Sequence, residues 1–249
     1  MRSLLVSTLT LVVGCSSPAA TEPDAGTSVD AEVAIDAPSV VVDGATGFGT
    51  LSGAECGAIE LADITGSTPR VVRITFDFAR EYLDPQDRPL LTSGGLKLAE
   101  TPNAGGSSVL SEVFAFEQLG RCEGSMLLKT ETEIVYDTTS KKTDLLIALE
   151  GHKVGVSVVR AFQFPLETPL SLTEATRVMT KKLEDIPLSS ASVSAGDRWT
   201  KQFLSVLAFD AAAADTIVEA WSMLSDDLKG DTIIVLTTTN GSDTFIYTQ

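Results

Sequence analysis

The sequence is poor in the residue types that build the commonest catalytic and metal centres. A single histidine in 249 residues argues against a histidine-ligated zinc site. The chain also has no Cys-x-x-Cys pair, no Gly-x-Ser-x-Gly motif, no His-Glu-x-x-His motif and no glycine-rich phosphate loop after a strand. These absences argue against the familiar zinc proteases, elbow-type serine hydrolases and phosphate-loop NTPases.

Basic residues are scarce, and none lies between Arg2 and Arg70. Lys and Arg total 18 against 34 Asp and Glu, which gives a formal net charge of -16. A chain with this charge repels the phosphates of nucleic acids at long range, so nucleic acid is an unfavourable partner. The hydrophobic fraction of 43% is nevertheless enough to bury a sizeable core, so most of the chain is expected to be globular.

The first fifteen residues have the three parts of a bacterial export signal. Arg2 supplies positive charge, residues 4–13 are mostly apolar but too few to span a bilayer, and small Gly14 precedes Cys15. The run Val12-Val13-Gly14-Cys15 resembles the lipobox of bacterial lipoproteins. That resemblance implies cleavage before Cys15, a diacylglyceryl thioether on its sulfur and acylation of its new amine. The alternatives are an ordinary signal peptide and an apolar N-terminal strand.

The residues after Cys15 read as a spacer. Residues 16–45 are rich in Ser, Ala, Pro, Asp and Thr and contain no aromatic or basic residue, so they bury too little surface to offset chain entropy. We expect a signal peptide at 1–14, an acylated cysteine and disordered acidic tether at 15–45, and one globular domain at 46–249. Ser16 is similar to the residue that follows the lipidated cysteine in outer-membrane lipoproteins of Gram-negative bacteria. The resemblance implies an exported protein that contacts the membrane through Cys15.

Two further cysteines need a separate explanation. If Cys15 carries lipid, Cys56 and Cys122 remain as an even pair that could close a disulfide in an oxidising compartment. The alternative is two buried free thiols that pack as small hydrophobic groups.

Hydrophobic periodicity predicts an α/β, or α+β, domain with a central mixed sheet flanked by helices. Residues 85–95 are predicted as loop, Gly120 as the end of the first helix, and Ser171 with Glu174 as a capping box. A tight connection is predicted at Gly151-His152 and a turn at Asn240-Gly241. Strands are predicted at 71–78, 130–138, 144–150, 153–162, 232–239 and 244–248, and helices at 109–119, 171–186, 197–209 and 211–224.

The element order over residues 105 to 240 resembles the core of the PD-(D/E)xK nuclease-like superfamily, a restriction-endonuclease-like core, here with extra N-terminal strands. The family holds Mg²⁺ with acids on the first helix and second strand and with an acid-x-Lys motif in the third. The resemblance places Glu112 on that helix and Asp144 at the start of the second strand. In the third strand, however, Ser157 and Val159 stand where the acid and the Lys are expected. Arg160 is one place off, on the opposite face. The resemblance therefore implies the fold with a degenerate site.

Each of these residues also has a structural explanation. Glu112 is better explained as a solvated helix residue and Ser157 as a small core residue, while Asp144 suits a turn as well as it suits a site. We therefore expect a cell-envelope lipoprotein with a non-catalytic binding or structural domain, no cofactor, and a protein or small molecule as partner. The alternative is a divergent phosphodiesterase that requires Mg²⁺.

Overall fold

The computed structural model describes residues 46–102 and 109–248. The signal peptide, lipidated Cys15 and tether predicted for residues 1–45 lie outside the described residues. All of the described residues belong to one compact unit. Within these residues, no helix combines the length and the apolar character needed to cross a membrane.

The described residues form a seven-stranded mixed sheet. Its order across the sheet is β1-β2-β7-β6-β5-β4-β3, with β2, β7, β6 and β5 parallel to one another and antiparallel pairing at both edges. The strands are β1 (Gly49–Ser52), β2 (Arg70–Phe78), β3 (Met126–Thr130), β4 (Leu145–Leu149), β5 (His152–Ala161), β6 (Lys201–Ala208) and β7 (Ile233–Gly241).

Helices cover both faces of the sheet. One apolar layer joins α3, with α2 packed on it, to Phe203 and Val235, whereas the other joins α4 and α5 to Leu204 and Leu236. The helices are α1 (Leu61–Thr65), α2 (Ser93–Glu100), α3 (Val109–Cys122), α4 (Leu172–Ser192), α5 (Ala211–Met223) and α6 (Asp226–Lys229). The predicted α/β architecture is therefore confirmed. The observed order is α3-β3-β4-β5-α4-β6, but β3 and β6 are not the elements that the sequence predicts at those places.

The clearest sequence patterns give the elements that they predict. In β2, Val72, Ile74, Phe76 and Phe78 are all buried, and the Phe78 ring meets Phe114 of α3 edge-on at 5.2 Å between centroids. Helix α4 begins after Ser171, whose hydroxyl accepts a hydrogen bond from the Glu174 amide. A tight β4–β5 connection is present, but it lies at Glu150-Gly151, one position before the predicted Gly151-His152, because His152 already belongs to β5. Glu150 and Gly151 both have left-handed φ angles, of 49° and 74°, which suit a two-residue hairpin turn.

Three predicted elements around the parallel strands are wrong. Residues 201–208, predicted as part of a helix, form β6, and all of them are buried, so the strand shows no one-sided alternation. β7 continues through the predicted turn to Gly241, and residues 244–246 form a 3₁₀ turn instead of a strand. β3 ends at Thr130, where the strand predicted for 130–138 should begin, because the polar residues that follow turn away from the sheet.

Helix boundaries also differ from the prediction. α3 continues through Gly120 to Cys122, and α4 continues through Pro187 to Ser192. α2 begins inside the loop predicted for residues 85–95, because its first residues, Ser-Gly-Gly, are unfavourable for a helix. The structure shows why a glycine is needed: a Cβ at Gly94 would collide with the Phe116 ring of α3. Close packing of the two helices thus overrides the weak propensity.

Cys56 and Cys122 form a disulfide, with their Cα atoms 4.8 Å apart and 66 positions between them in the chain. The bridge joins the segment after β1 to the last residue of α3. The neighbouring Glu123 carboxylate strengthens the same junction, because it accepts hydrogen bonds from the Gly57 amide at 3.0 Å and the Ile59 amide at 3.1 Å. Burial raises the pKa of Glu123, and these two amides act against that rise.

Candidate functional site

Asp144 lies just before β4, where its carboxylate extends the pairing with β5. The Asp144 Oδ2 atom accepts a hydrogen bond from the Val158 amide at 2.6 Å and lies 3.9 Å from Lys182 Nζ of α4. Burial raises the pKa of Asp144, while the Lys182 ammonium and the Val158 amide lower it. The Asp144 carboxylate therefore already has partners within the protein.

Ser157 and Arg160 sit in β5 with different neighbours. The Ser157 hydroxyl accepts a hydrogen bond from Gln202 Nε2 at 3.1 Å, on the side of the sheet that α4 covers. Arg160 Nη1 donates to the Ile246 carbonyl at 2.9 Å, and Ile246 belongs to the apolar layer on the α3 side. The two side chains thus serve opposite faces of the sheet.

Glu112, expected as a solvated helix residue, is instead buried in α3, and the sheet lies between it and the side chains of α4. It lines a small recess together with Thr130 and Glu131 at the end of β3. The structure therefore brings Asp144 and Ser157 to one side of the sheet but does not bring Glu112 to them. Across residues 46–102 and 109–248, no group of three or more His, Cys, Asp or Glu side chains is placed to hold a metal ion. The described residues do not fit the Mg²⁺ site that the nuclease-like resemblance implies.

A buried polar network that the sequence reasoning missed centres on Gln202 of β6. Its Nε2 donates to Thr143 Oγ1 at 3.0 Å and to Ser157 Oγ at 3.1 Å, and its Oε1 accepts from Ser190 Oγ at 2.9 Å. The Ser190 hydroxyl in turn accepts a hydrogen bond from Trp199 Nε1 at 2.9 Å. The network holds the start of β6 against β5 and α4, and it satisfies groups that would be costly to bury unpaired.

A cleft of about 590 Å³ opens beside this network, between α4, the start of β6 and α6 with its following loop. We call it the α4–α6 cleft. Its volume lies in the range typical of small-molecule sites. Apolar side chains supply much of its lining, namely Leu183, Ile186, Pro187, Trp199 and Leu228.

Both basic residues of the α4–α6 cleft are engaged within the protein. The Lys201 side chain is fully buried, and its Nζ donates to the Gly66 carbonyl, to the Asp231 carbonyl at 2.9 Å and to Asp231 Oδ2 at 3.0 Å. The Lys229 ammonium lies 5.4 Å from the Trp221 ring centroid and 3.4 Å from Asp226 Oδ1.

Two acids complete the lining. Glu184 and Asp227 are exposed, and neither has an ion-pair partner within the described part of the chain. Because Lys201 and Lys229 are already neutralised, the remaining charge at the rim of the cleft is negative.

The opposite, carboxyl end of the parallel strands is partly filled by the chain itself. The Tyr247 hydroxyl lies 2.7 Å from Thr239 Oγ1, which also hydrogen-bonds the Asp243 carboxylate. The Tyr247 ring packs against Phe162 and Phe209 at 5.3 and 5.2 Å between centroids. Burial raises the pKa of Asp243 and of Tyr247. Ligands of α/β sheets commonly bind at the carboxyl ends of strands, but here residues 243–247 occupy part of that place, and the hollow left beside Phe162 and Phe209 has a volume of only about 140 Å³.

The sequence contained one signal for the α4–α6 cleft. The run from Lys201 to Ala208 begins with two polar residues and then becomes apolar. Assigned to a helix, Lys201 and Gln202 look like residues of a solvated face. Assigned to a buried strand, they become polar groups that require partners, and the residues around them become candidates for a site.

Comparisons with known proteins give limited guidance. No protein-family model matches the chain. Over 160 residues, or 62% of its length, the chain is 36% identical to a Dictyostelium discoideum protein described as "AAC-rich mRNA clone AAC4 protein" and covers 23% of it, so it spans about a quarter of that relative. A solved structure of Pyrococcus furiosus SfsA in complex with Ca²⁺ aligns with 52% of this chain and 55% of its own, at 12% identity and a TM-score of 0.23. A TM-score this low carries no argument about this chain.

Proposed function

We propose that this chain is an exported, lipid-anchored protein of the cell envelope whose domain binds a small molecule in the α4–α6 cleft. The observation that carries the proposal is the cleft itself. It is concave, about 590 Å³ in volume, largely apolar, and has a few polar groups at fixed positions.

The polar groups of the cleft are held in place, which suits recognition of a ligand. Hydrogen bonds with Thr143, Ser157 and Ser190 hold the Gln202 side chain in place. The hydrogen bond from the Trp199 indole to Ser190 holds the indole in place. Side chains that are already ordered lose little entropy when a ligand binds. The cleft is therefore proposed as a preformed binding site, with a non-catalytic role for its polar groups.

Export is supported by the cysteines. The Cys56–Cys122 disulfide is of a kind that forms and persists in oxidising compartments such as the bacterial periplasm. Its pairing leaves Cys15 as the third cysteine, in the lipobox-like run Val12-Val13-Gly14-Cys15. The proposal places the protein at the outer membrane of a Gram-negative bacterium, anchored through acyl chains on Cys15.

The anchor is tested by substitution of the cysteine. In a Gram-negative host, the full chain is expected to incorporate a palmitate analogue and to sediment with outer membranes. Cys15→Ser should incorporate none and remain in the soluble periplasmic fraction, while Cys122→Ser should still be labelled. Membrane sedimentation of Cys15→Ser equal to that of the natural chain would contradict the anchor.

The binding role is tested by closing the cleft. Ligand-detected NMR with a fragment library should yield fragments that bind the full chain. Leu228→Trp, which places a bulky ring in the cleft from α6, should weaken these fragments at least about tenfold. Met223→Trp is the matched control, since Met223 is exposed on α5 and does not line the cleft. A library without binders, or binders unaffected by Leu228→Trp, would refute the proposed site.

A further inference from the structure

We infer that the ligand of the α4–α6 cleft is an organic cation: an apolar body that carries a protonated amine. This inference rests on the proposed function and adds the chemical class of the ligand. It follows from the unneutralised carboxylates at the rim of the cleft, from the apolar side chains of its wall and from the acidic charge of residues 16–45.

The charge at the rim is negative after internal partners are counted. Asp231 neutralises the buried Lys201 ammonium, and Asp226 with the Trp221 ring faces the Lys229 ammonium. Glu184 and Asp227 remain, each exposed and without an ion-pair partner among the described residues. A ligand with positive charge would meet two unneutralised carboxylates, whereas an anionic ligand would be repelled by both.

The wall of the cleft suits the apolar part of such a ligand. Trp199 forms part of it, and its indole is held close to β5 because Gly155 leaves room behind the ring. A Cβ at Gly155 would lie only 2.9 Å from Trp199 Cδ2. Leu183 and Ile186 add apolar surface to the same wall. Apolar contact is therefore available in the cleft whose rim carries the two carboxylates.

The acidic rim also argues against the chain's own tether as the occupant. Residues 16–45 contain six carboxylates and no basic residue, so their charge has the same sign as the rim. The same repulsion disfavours phosphate-bearing ligands. An external cation is the occupant that the charges favour.

The test uses three compounds of nearly one shape and different charge: tryptamine, 3-ethylindole and indole-3-propionate. Calorimetry with the full chain at pH 7 and low salt should show tryptamine binding at least about tenfold more tightly than indole-3-propionate, with 3-ethylindole between them. Glu184→Gln and Asp227→Asn should each weaken tryptamine about threefold, as expected for one partly solvated charge pair, and leave 3-ethylindole unchanged. Glu219→Gln, an exposed acid of α5 outside the cleft, should change neither.

The outcomes separate this inference from the proposed function. Equal or tighter binding of indole-3-propionate overturns the cationic ligand while the cleft remains a binding site. The same conclusion follows if none of the three compounds binds but library fragments are lost in Leu228→Trp. A tryptamine affinity that falls as much in Glu219→Gln as in Glu184→Gln shows a general charge effect and overturns the inference. If neither the three compounds nor any fragment binds, the proposed function falls with it.

Discussion

Reduction of the Cys56–Cys122 disulfide is expected to lower the free energy of unfolding by about 4 kcal/mol. The two cysteines are 66 positions apart, and the chain-entropy model for a loop of this length gives about 4 kcal/mol at 25 °C. Cys122 is buried and Cys56 half-buried, so the reduced thiols keep most of the native packing. The difference between the oxidised and reduced chain therefore reports mainly the cross-link in the unfolded state.

Urea unfolding of the same chain with and without a thiol reductant measures this difference. A denaturant slope of about 2 kcal/mol per molar places the reduced midpoint roughly 2 M lower. The double variant Cys56→Ala, Cys122→Ala is the control, because it should unfold at one midpoint whether or not reductant is present. Oxidised and reduced chains that differ by less than about 1 kcal/mol would refute the reasoning, since they would show that the cross-link does not restrict the unfolded chain.

Three more predictions follow from the site and its surroundings. Gly155→Ala should destabilise the fold by about 1–3 kcal/mol and weaken cleft ligands, because the new Cβ would meet the Trp199 ring at 2.9 Å; urea unfolding and fragment NMR measure the two effects. Asp243→Asn should be more stable than the natural chain at pH 7, and the gain should vanish as the pH falls below about 4. Burial raises the folded-state pKa of Asp243, so its protonated form favours folding and that stability is lost as the pH rises through the raised pKa. Calorimetric titration with Mg²⁺ should give no saturable heat, either for the natural chain or for Asp144→Ala.

A specific result would contradict each of these three predictions. Unchanged stability of Gly155→Ala would mean that the indole is free to move away from β5. A gain in Asp243→Asn that persists at pH 3 would show that ionisation of Asp243 is not its cause. Tight Mg²⁺ binding that disappears in Asp144→Ala would restore the metal-dependent phosphodiesterase as the better hypothesis.

The sequence correctly predicts the elements that bury one face and expose the other to solvent. The apolar and polar residues of β2 alternate because one face of the strand is buried and the other remains partly solvated. Helix α4 shows a single apolar stripe because its other side faces water. β6 carries no such contrast, since helices cover both of its faces, and its residues are compatible with either a helix or a strand. The element with the least informative pattern is therefore the one whose first residues line the α4–α6 cleft.

Local sequence patterns could not predict the α4–α6 cleft. Its walls come from α4, the start of β6 and the loop after α6, which meet only when the parallel strands have assembled. The disulfide was easier, because once Cys15 is assigned to the lipid anchor only one pairing remains. Whether Glu112 of α3 lies near Asp144 depends on which face of the sheet α3 covers, and the sequence does not reveal that face.

The pairing of β2 with β7 has a consequence for how the polypeptide acquires its shape. β2 is an early strand and β7 a late one, yet they lie side by side along nine residue pairs. Until β7 has formed, β2 has only the short β1 beside it, and the hydrogen-bonding edge that β7 will cover stays open to other molecules. Both cysteines of the Cys56–Cys122 disulfide lie at or before the end of α3, so this bond can form before β7 is available and can constrain the first half of the chain. We expect newly made chains to be most prone to aggregate in this interval, and chaperones that shield strand edges to matter most then.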